Sequence, residues 1–104
     1  MAAVKTHVTY RPKAGKEKEL LALVMKHGPA LESTGLTSGE KPVVYKAHNV
    51  RTNQDYFIEI FSWRDENASS LAHQTPEIMA VWEPMTPILE SLELAVIETV
   101  NGND

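Results

Sequence analysis

The segment 56–63 is the strongest strand signal in the chain, and it is apolar on both of its faces. Successive side chains of a strand point to opposite sides of the sheet. Large side chains occupy both sets of positions: Phe57, Phe61 and Trp63 on one face, and Tyr56, Ile58 and Ile60 on the other. Either face, if left bare, would exceed the roughly 300–600 Å² apolar patch that a typical monomer exposes. We therefore expect helices of the same chain on one face and a second copy of the chain, in a homodimer, on the other.

Four segments have the period of a strand, and helical patterns separate them in the order βαββαβ. We predict strands at 3–10, 43–50, 56–63 and 92–100, and helices at 16–33, at 65–74 and from Thr75 onward. Gly28-Pro29 is expected to bend or restart the first helix. This order is the split βαβ arrangement. The sequence thus predicts one α+β, ferredoxin-like domain over 1–104, with a four-stranded antiparallel sheet of order 4-1-3-2.

Composition removes several classes of function. The 104 residues contain no Cys and carry a formal net charge of −4, without any run of basic residues. The lack of Cys excludes disulfides, thiolate nucleophiles and Cys-based metal sites. The charge argues against a nucleic-acid surface. The N-terminal residues do not have the pattern of a signal peptide, and no apolar stretch reaches membrane-spanning length. We expect a cytoplasmic protein without a nucleic-acid or membrane partner.

Two segments resemble the antibiotic biosynthesis monooxygenase-like family of the dimeric α+β barrel superfamily. They are 63–73, which reads Trp-Arg-Asp-Glu-Asn-Ala and then Leu-Ala-His, and 7–17, in which a strand, a Pro/Ala/Gly turn and a charged helix start follow one another. The resemblance implies a dimeric α+β barrel and cofactor-independent oxygenation of a phenolic or quinol-like molecule. Other relatives degrade haem or isomerise lactones. The positions 79–82 contain no His and the first strand contains no Asn, so the resemblance does not extend to the haem-degrading branch. No cofactor is expected.

Five side chains are candidates for a small-molecule site between helices and sheet. His73 could act as a general base toward a phenol, because imidazole titrates near neutrality. The alternative for His73 is a packed side chain that donates to a backbone carbonyl. Trp63 and Trp82 could form an aromatic wall for a flat ligand, although core packing is the simpler interpretation of Trp82. Phe61 and His7 are the remaining predicted substrate-binding residues.

Glu59 is the one charge inside the strongest strand, where a carboxylate needs a partner. It could take part in catalysis by holding His7 or His48 from a neighbouring strand or by binding substrate hydroxyls. The alternatives are an ion pair and a position at the rim of the dimer. The candidates for that ion pair are Lys5, Lys46 and Arg51. A metal site of His7, His48 and Glu59 is conceivable, but no spacing motif supports it, so no metal is predicted. His27 is interpreted as a helix-dipole partner or as part of a buried face.

Three functions remain open on the sequence alone. The first is a cofactor-free monooxygenase in which His73 is the base or orients the substrate. The second is a ligand-binding or structural barrel without turnover, in which His73 would bond the backbone and no enclosed cavity would lie beside it. The third is an isomerase or lactone-processing enzyme, for which Glu59 and His73 would have to face each other across a pocket.

Overall fold

The computed structural model describes residues 3–102, and residues 1, 2, 103 and 104 of the predicted domain lie outside the described range. Its elements follow the predicted order. They are the strands β1 (Val4–Pro12), β2 (Val43–Asn49), β3 (Gln54–Trp63) and β4 (Leu89–Val96), the helices α1 (Glu17–Ser33), α2 (Ala68–Ala72) and α3 (Pro76–Trp82), and a 3-10 helix, Glu83–Ile88.

The four strands form one antiparallel sheet with the order β2-β3-β1-β4. In its register Val8 of β1 lies opposite Glu59 of β3, and Tyr10 lies opposite Phe57. The prediction of a four-stranded ferredoxin-like sheet with β1 and β3 at its centre is confirmed. The two central strands therefore supply the floor on which the helices pack.

The helix α1 covers the middle of the sheet through one apolar stripe. Leu20, Val24 and Leu31 are fully buried and recur at the three- and four-residue spacing that places side chains on one helical face. Glu17 and Glu19 lie in the first turn, where carboxylates favour the positive end of the helix dipole. The helix does not restart at Gly28-Pro29, because α1 continues through these two residues.

Two predicted boundaries were wrong near the C-terminal half. The second helix begins at Ala68 and ends at Ala72, since Asp65 uses its carboxylate to accept the backbone N–H of Asn67 in the preceding turn. The last strand begins at Leu89, directly after the 3-10 helix, and ends at Val96. The predicted helix start at Thr75 is confirmed, with Thr75 as N-cap and Pro76 at the first helical position.

The helical layer does not extend over β4. Leu92 and Leu94 lie opposite Tyr10 and Val8 of β1, so they share the helix-covered face of the sheet. Their exposed fractions are nevertheless 46% and 68%. The face away from the helices carries the half-buried Ile58 and Ile60. Within residues 3–102, no helix is both long enough and apolar enough to cross a bilayer.

Candidate functional site

A cleft of about 220 Å³ lies between the helical layer and the sheet. The side chains around it are mostly apolar or aromatic, and several of them carry polar atoms. The aromatic and polar lining residues are Tyr10, His27, Phe61, Trp63, Ser69, His73, Trp82 and Thr86. Leu92 and Leu94 line the side where the helical layer ends. A concave, apolar space with a few convergent polar groups is the usual form of a small-molecule site.

His27 is the polar group at the inner end of the cleft. It continues the buried stripe of α1 and is 2% exposed. Its Nδ1 lies 2.6 Å from Oε1 of Glu59, which is completely buried on β3. His27 lines the cleft whereas Glu59 does not, and the other ring nitrogen of His27, Nε2, is buried and is not used in the contact with Glu59. With Glu59 ionised, Nδ1–H donates to the carboxylate and Nε2 keeps its lone pair.

Tyr10 is the third member of this buried group. Its hydroxyl donates to Oε1 of Glu59 at 2.7 Å, so the same carboxylate oxygen accepts from both Tyr10 and His27. Burial, and secondly the neighbouring Glu59 charge, raise the pKa of Tyr10 far above its usual range. Tyr10 therefore stays a neutral donor. Nε2 of His27 and Oε2 of Glu59 have no hydrogen-bond partner among the described residues.

Aromatic rings hold His27 in place and continue toward the cleft mouth. The edge of Phe61 meets the His27 ring at a centroid distance of 5.6 Å, and Trp82 lies 5.7 Å from it. Trp63 packs edge-on against Phe61 at 4.9 Å. Trp82 also contacts His73, with ring centroids 4.9 Å apart. The two tryptophans are thus parts of one aromatic wall. Its rings meet in the edge-to-face and tilted arrangements that aromatic side chains prefer.

The predicted site residues are divided between two faces of the sheet. Trp63, Trp82 and Phe61 line the cleft, and His73 lies at its mouth, exposed, as the C-cap of α2. His7 does not reach the cleft. It lies opposite Ile60 in the β1–β3 register, on the face that the helices leave uncovered.

The partners predicted for Glu59 were wrong. Directly beside it on the neighbouring strands lie Val8 and Val44, so no charged or imidazole group meets it within the sheet. His48 bonds Asp55 instead, at 2.8 Å. The metal hypothesis fails because His7 and Glu59 are on opposite faces, and the described residues contain no cluster of three metal-binding side chains. Glu59 and His73 also do not face each other across the cleft, which removes the pairing that an isomerase would need.

His27 is a candidate site residue that the sequence interpretation assigned only to a buried face or a helix dipole. Its spacing with Leu20, Val24 and Leu31 did predict burial. A buried imidazole needs a hydrogen-bonding partner, and the chain holds one unexplained buried carboxylate, Glu59. The need of the buried imidazole for a partner and the need of the buried carboxylate for one are the signal that could have paired His27 with Glu59.

A second and larger groove, of about 800 Å³, extends from the turn between β2 and β3 to the end of β1 and the start of β4. It is open and polar, and its histidine, His48, is half exposed and already paired with Asp55. Its arginine, Arg11, lies over the Tyr56 ring at 4.5 Å. Because it lacks the buried and unpaired groups that mark the smaller cleft, we assign the candidate site to the cleft beside His27.

The electrostatics of the cleft favour proton transfer from an uncharged molecule. No Lys or Arg is among its lining residues within the described part of the chain, so neither of these cations would pair there with a phosphate or carboxylate. The imidazole of His27 is held in one orientation by a carboxylate. This arrangement can accept a proton from a weakly acidic O–H group in a largely water-free space.

Comparison with family models gave no match, and no curated protein matched the sequence. Solved structures do match. SnoaB, a cofactor-independent oxygenase from Streptomyces nogalater, aligns with a TM-score of 0.71 at 10% identity, covering 98% of this chain and 97% of that one. A structure described as an antibiotic biosynthesis monooxygenase gives 0.72 at 12% identity, with coverage of 94% and 99%. Rv0793 from Mycobacterium tuberculosis gives 0.75 at 10% identity, with coverage of 99% and 100%. The chain therefore has the ferredoxin-like α+β fold of the antibiotic biosynthesis monooxygenase structures.

Proposed function

We propose that the protein is a cofactor-independent monooxygenase that acts on a small phenol or hydroquinone bound in the cleft, with His27 as the general base. The observation that carries this proposal is the buried pair of His27 and Glu59, joined at 2.6 Å, with Nε2 of His27 left without a partner beside an aromatic cleft. A base of this kind needs an orienting group and an unpaired nitrogen. The fold shared with SnoaB supports the same class of reaction.

The size of the cleft limits the substrate. At about 220 Å³ it is smaller than the roughly 300–1,000 Å³ pockets that hold drug-sized ligands. One or two fused rings, placed between the aromatic wall and the sheet, match this volume. The absence of lining cations disfavours a substrate that enters as an anion. The substrate would therefore enter as the neutral phenol and ionise inside.

The reaction begins with proton transfer from the substrate O–H to Nε2 of His27. Glu59 stabilises the resulting imidazolium across the 2.6 Å hydrogen bond. The phenolate then passes one electron to O₂, which gives superoxide and a carbon-centred radical. These two couple to form a C–O bond. The imidazolium of His27 returns its proton to the peroxide. Neutral His27 then takes the C–H proton as the O–O bond breaks, and the released hydroxide takes up this proton and leaves as water. The oxygen that stays on the ring is at first a carbonyl, and the resulting ortho-quinone tautomerises to the 2-hydroxy-1,4-quinone.

The reaction consumes one molecule of O₂ per turnover. One oxygen atom stays in the product, and the other leaves as water with the two hydrogens that the substrate has lost. For 1,4-dihydroxynaphthalene the product is 2-hydroxy-1,4-naphthoquinone. A simple oxidase would instead give 1,4-naphthoquinone and hydrogen peroxide. The two outcomes differ in whether an oxygen atom from O₂ enters the product.

The test measures uptake of ¹⁸O₂ with 1,4-dihydroxynaphthalene, followed by mass spectrometry of the product. We expect one heavy oxygen per product molecule and a loss of activity of about 100-fold or more in His27→Asn, since positioned bases contribute about 10²–10⁴-fold. His7→Asn is the matched control, because His7 lies on the other face of the sheet.

Binding is measured separately through tryptophan fluorescence. Both tryptophans of the chain line the cleft, so a bound naphthalene should quench the emission. Quenching by the non-oxidised analogue naphthalene-1,4-dimethanol without oxygen uptake from the hydroquinone would favour the non-catalytic binding function. Equal turnover in His27→Asn would contradict the assignment of the base.

A further inference from the structure

Two hydrogen bonds converge on a single oxygen of the buried Glu59. Oε1 accepts from Nδ1 of His27 at 2.6 Å and from the hydroxyl of Tyr10 at 2.7 Å, whereas Oε2 has no partner among the described residues. Tyr10 has no role in the proposed proton transfer, because its hydroxyl is directed to the carboxylate. Its effect on the base must therefore pass through Glu59.

A buried carboxylate beside an imidazole creates a difficulty for a base. An isolated buried anion is unfavourable, and one added proton would make the pair of His27 and Glu59 neutral overall. If that proton is held at neutral pH, His27 cannot accept one from the substrate. A donor that stabilises the carboxylate while His27 is neutral opposes this uptake.

We propose that Tyr10 is a positioning residue that keeps His27 free of its proton by stabilising the anionic form of Glu59. This inference rests on the proposed function of His27 as base. The hydrogen bond from Tyr10 is strongest when the carboxylate charge is uncompensated, and it weakens when the imidazolium forms. Removal of the hydroxyl should make the pair bind its proton more tightly, whichever of the two groups holds it.

Few other charges act on this group. On β2 the same face carries Val44 and then Lys46, whose ammonium is paired with Asp55 at 3.5 Å. On β4 the side chains of that face are Leu92, Leu94 and Val96, and the buried residues of α3 and the 3-10 helix are apolar. His73, at the end of α2, is separated from His27 by Trp82. Apart from His27 itself, Tyr10 is therefore the group of the described residues that donates a hydrogen bond to Glu59.

The test follows the protonation of His27 by NMR in protein labelled with ¹⁵N-histidine. The chain has four histidines, and the signal that disappears in His27→Asn identifies the one required. In Tyr10→Phe we expect the pH of half-protonation to rise by about one unit. A change of this size corresponds to the loss of one hydrogen bond to a charged group. Tyr56→Phe is the control, since Tyr56 contacts Arg11 on the other face.

A double variant separates this role from packing. In a Glu59→Gln background, Tyr10→Phe should leave the half-protonation pH of His27 unchanged, because the charge through which Tyr10 acts is gone. In the enzyme assay, Tyr10→Phe should move the acid limb of the pH–rate profile upward by the same amount. The rate at high pH should return to that of the unsubstituted protein. A merely structural tyrosine would lower the rate at every pH.

An unchanged His27 titration in folded Tyr10→Phe would overturn the inference. If Tyr10→Phe does not fold, 3-fluorotyrosine at position 10 in a Tyr45→Phe/Tyr56→Phe background tests the same role by strengthening the hydrogen bond instead of removing it. Its more acidic hydroxyl should lower the half-protonation pH, and no change or an increase would overturn the inference. The titration does not depend on turnover. A shift without oxygen uptake would remove the proposed function alone, and turnover without a shift would remove only the role of Tyr10.

Discussion

Nδ1 of His27 lies 2.6 Å from Oε1 of Glu59, although 32 positions separate them in the chain and one is on a helix and the other on a strand. The contact is sealed from water, with exposed fractions of 2% and 0%. Leaving either group alone in this position would be strongly unfavourable, because a buried charge or imidazole without a partner loses its hydration. The pair is thus both a packing requirement and the source of the proposed chemistry.

Glu59→Gln should reduce the turnover of 1,4-dihydroxynaphthalene by about 100-fold while the protein still binds a naphthalene ligand. The amide fills the same space, but it neither stabilises the imidazolium nor enforces the tautomer with a free Nε2. Steady-state oxygen uptake and fluorescence quenching measure the two properties. Glu93→Gln is the matched control, as Glu93 is exposed and bonded to Arg11. A Glu59→Gln protein with full turnover would show that the carboxylate has no part in catalysis.

His73→Asn distinguishes the two histidines of the cleft. His73 is exposed and contacts Trp82, so its loss should loosen the cleft mouth and raise KM by about fivefold with little change in kcat. The sequence interpretation of His73 as the base expects the reverse, a large fall in kcat. Kinetics over a range of substrate concentration decide between them, with His48→Asn as a control on an unrelated surface.

Tyr10 should make the native protein sensitive to alkaline pH. Its pKa is raised by burial and by Glu59, so the folded state holds the hydroxyl proton more tightly than the unfolded state does. The associated stability is complete below the unfolded pKa, about 10, and is lost as the pH rises above it. Between pH 10 and 11 the free energy of unfolding should fall by about 1 kcal/mol more than in Tyr10→Phe. Urea unfolding of both proteins at both pH values measures the difference. An equal fall in the free energy of unfolding for the two proteins would contradict the prediction.

The homodimer remains a prediction, and the exposed apolar residues suggest how to test it. Tyr45 is 51% exposed and lies opposite Ile58, on the face without helices. If a second copy covers this face, sedimentation at micromolar concentration should give a dimer, and Tyr45→Glu should give a monomer that stays folded. Lys46→Glu, the adjacent residue on the other face, should remain a dimer. A lone protomer for the unsubstituted protein would contradict the prediction.

Local patterns predicted most of the fold because they depend on neighbouring residues alone. The alternation at 56–63 placed Phe61 and Trp63 on the helix-covered face, and both line the cleft. The boundary of β4 was missed because the 3-10 helix over Glu83–Ile88, with prolines at 84 and 87, has no simple period. The register across strands explains the error over Glu59. Its neighbours within the sheet are Val8 and Val44, and no pattern within one strand specifies them.

The amino-acid sequence by itself determined the order of strands and helices, the antiparallel ferredoxin-like sheet and the burial of His27. These follow from the periods of side chains along short segments. Only the tertiary structure decided that His27 and Tyr10 both bond Oε1 of Glu59 and that His7 lies on the other face of the sheet. The pairing of β1 with β3 sets the distance between Tyr10 and Glu59. The rotation and height at which α1 packs on β3 set the distance between His27 and Glu59, and that packing depends on the whole set of core contacts at once.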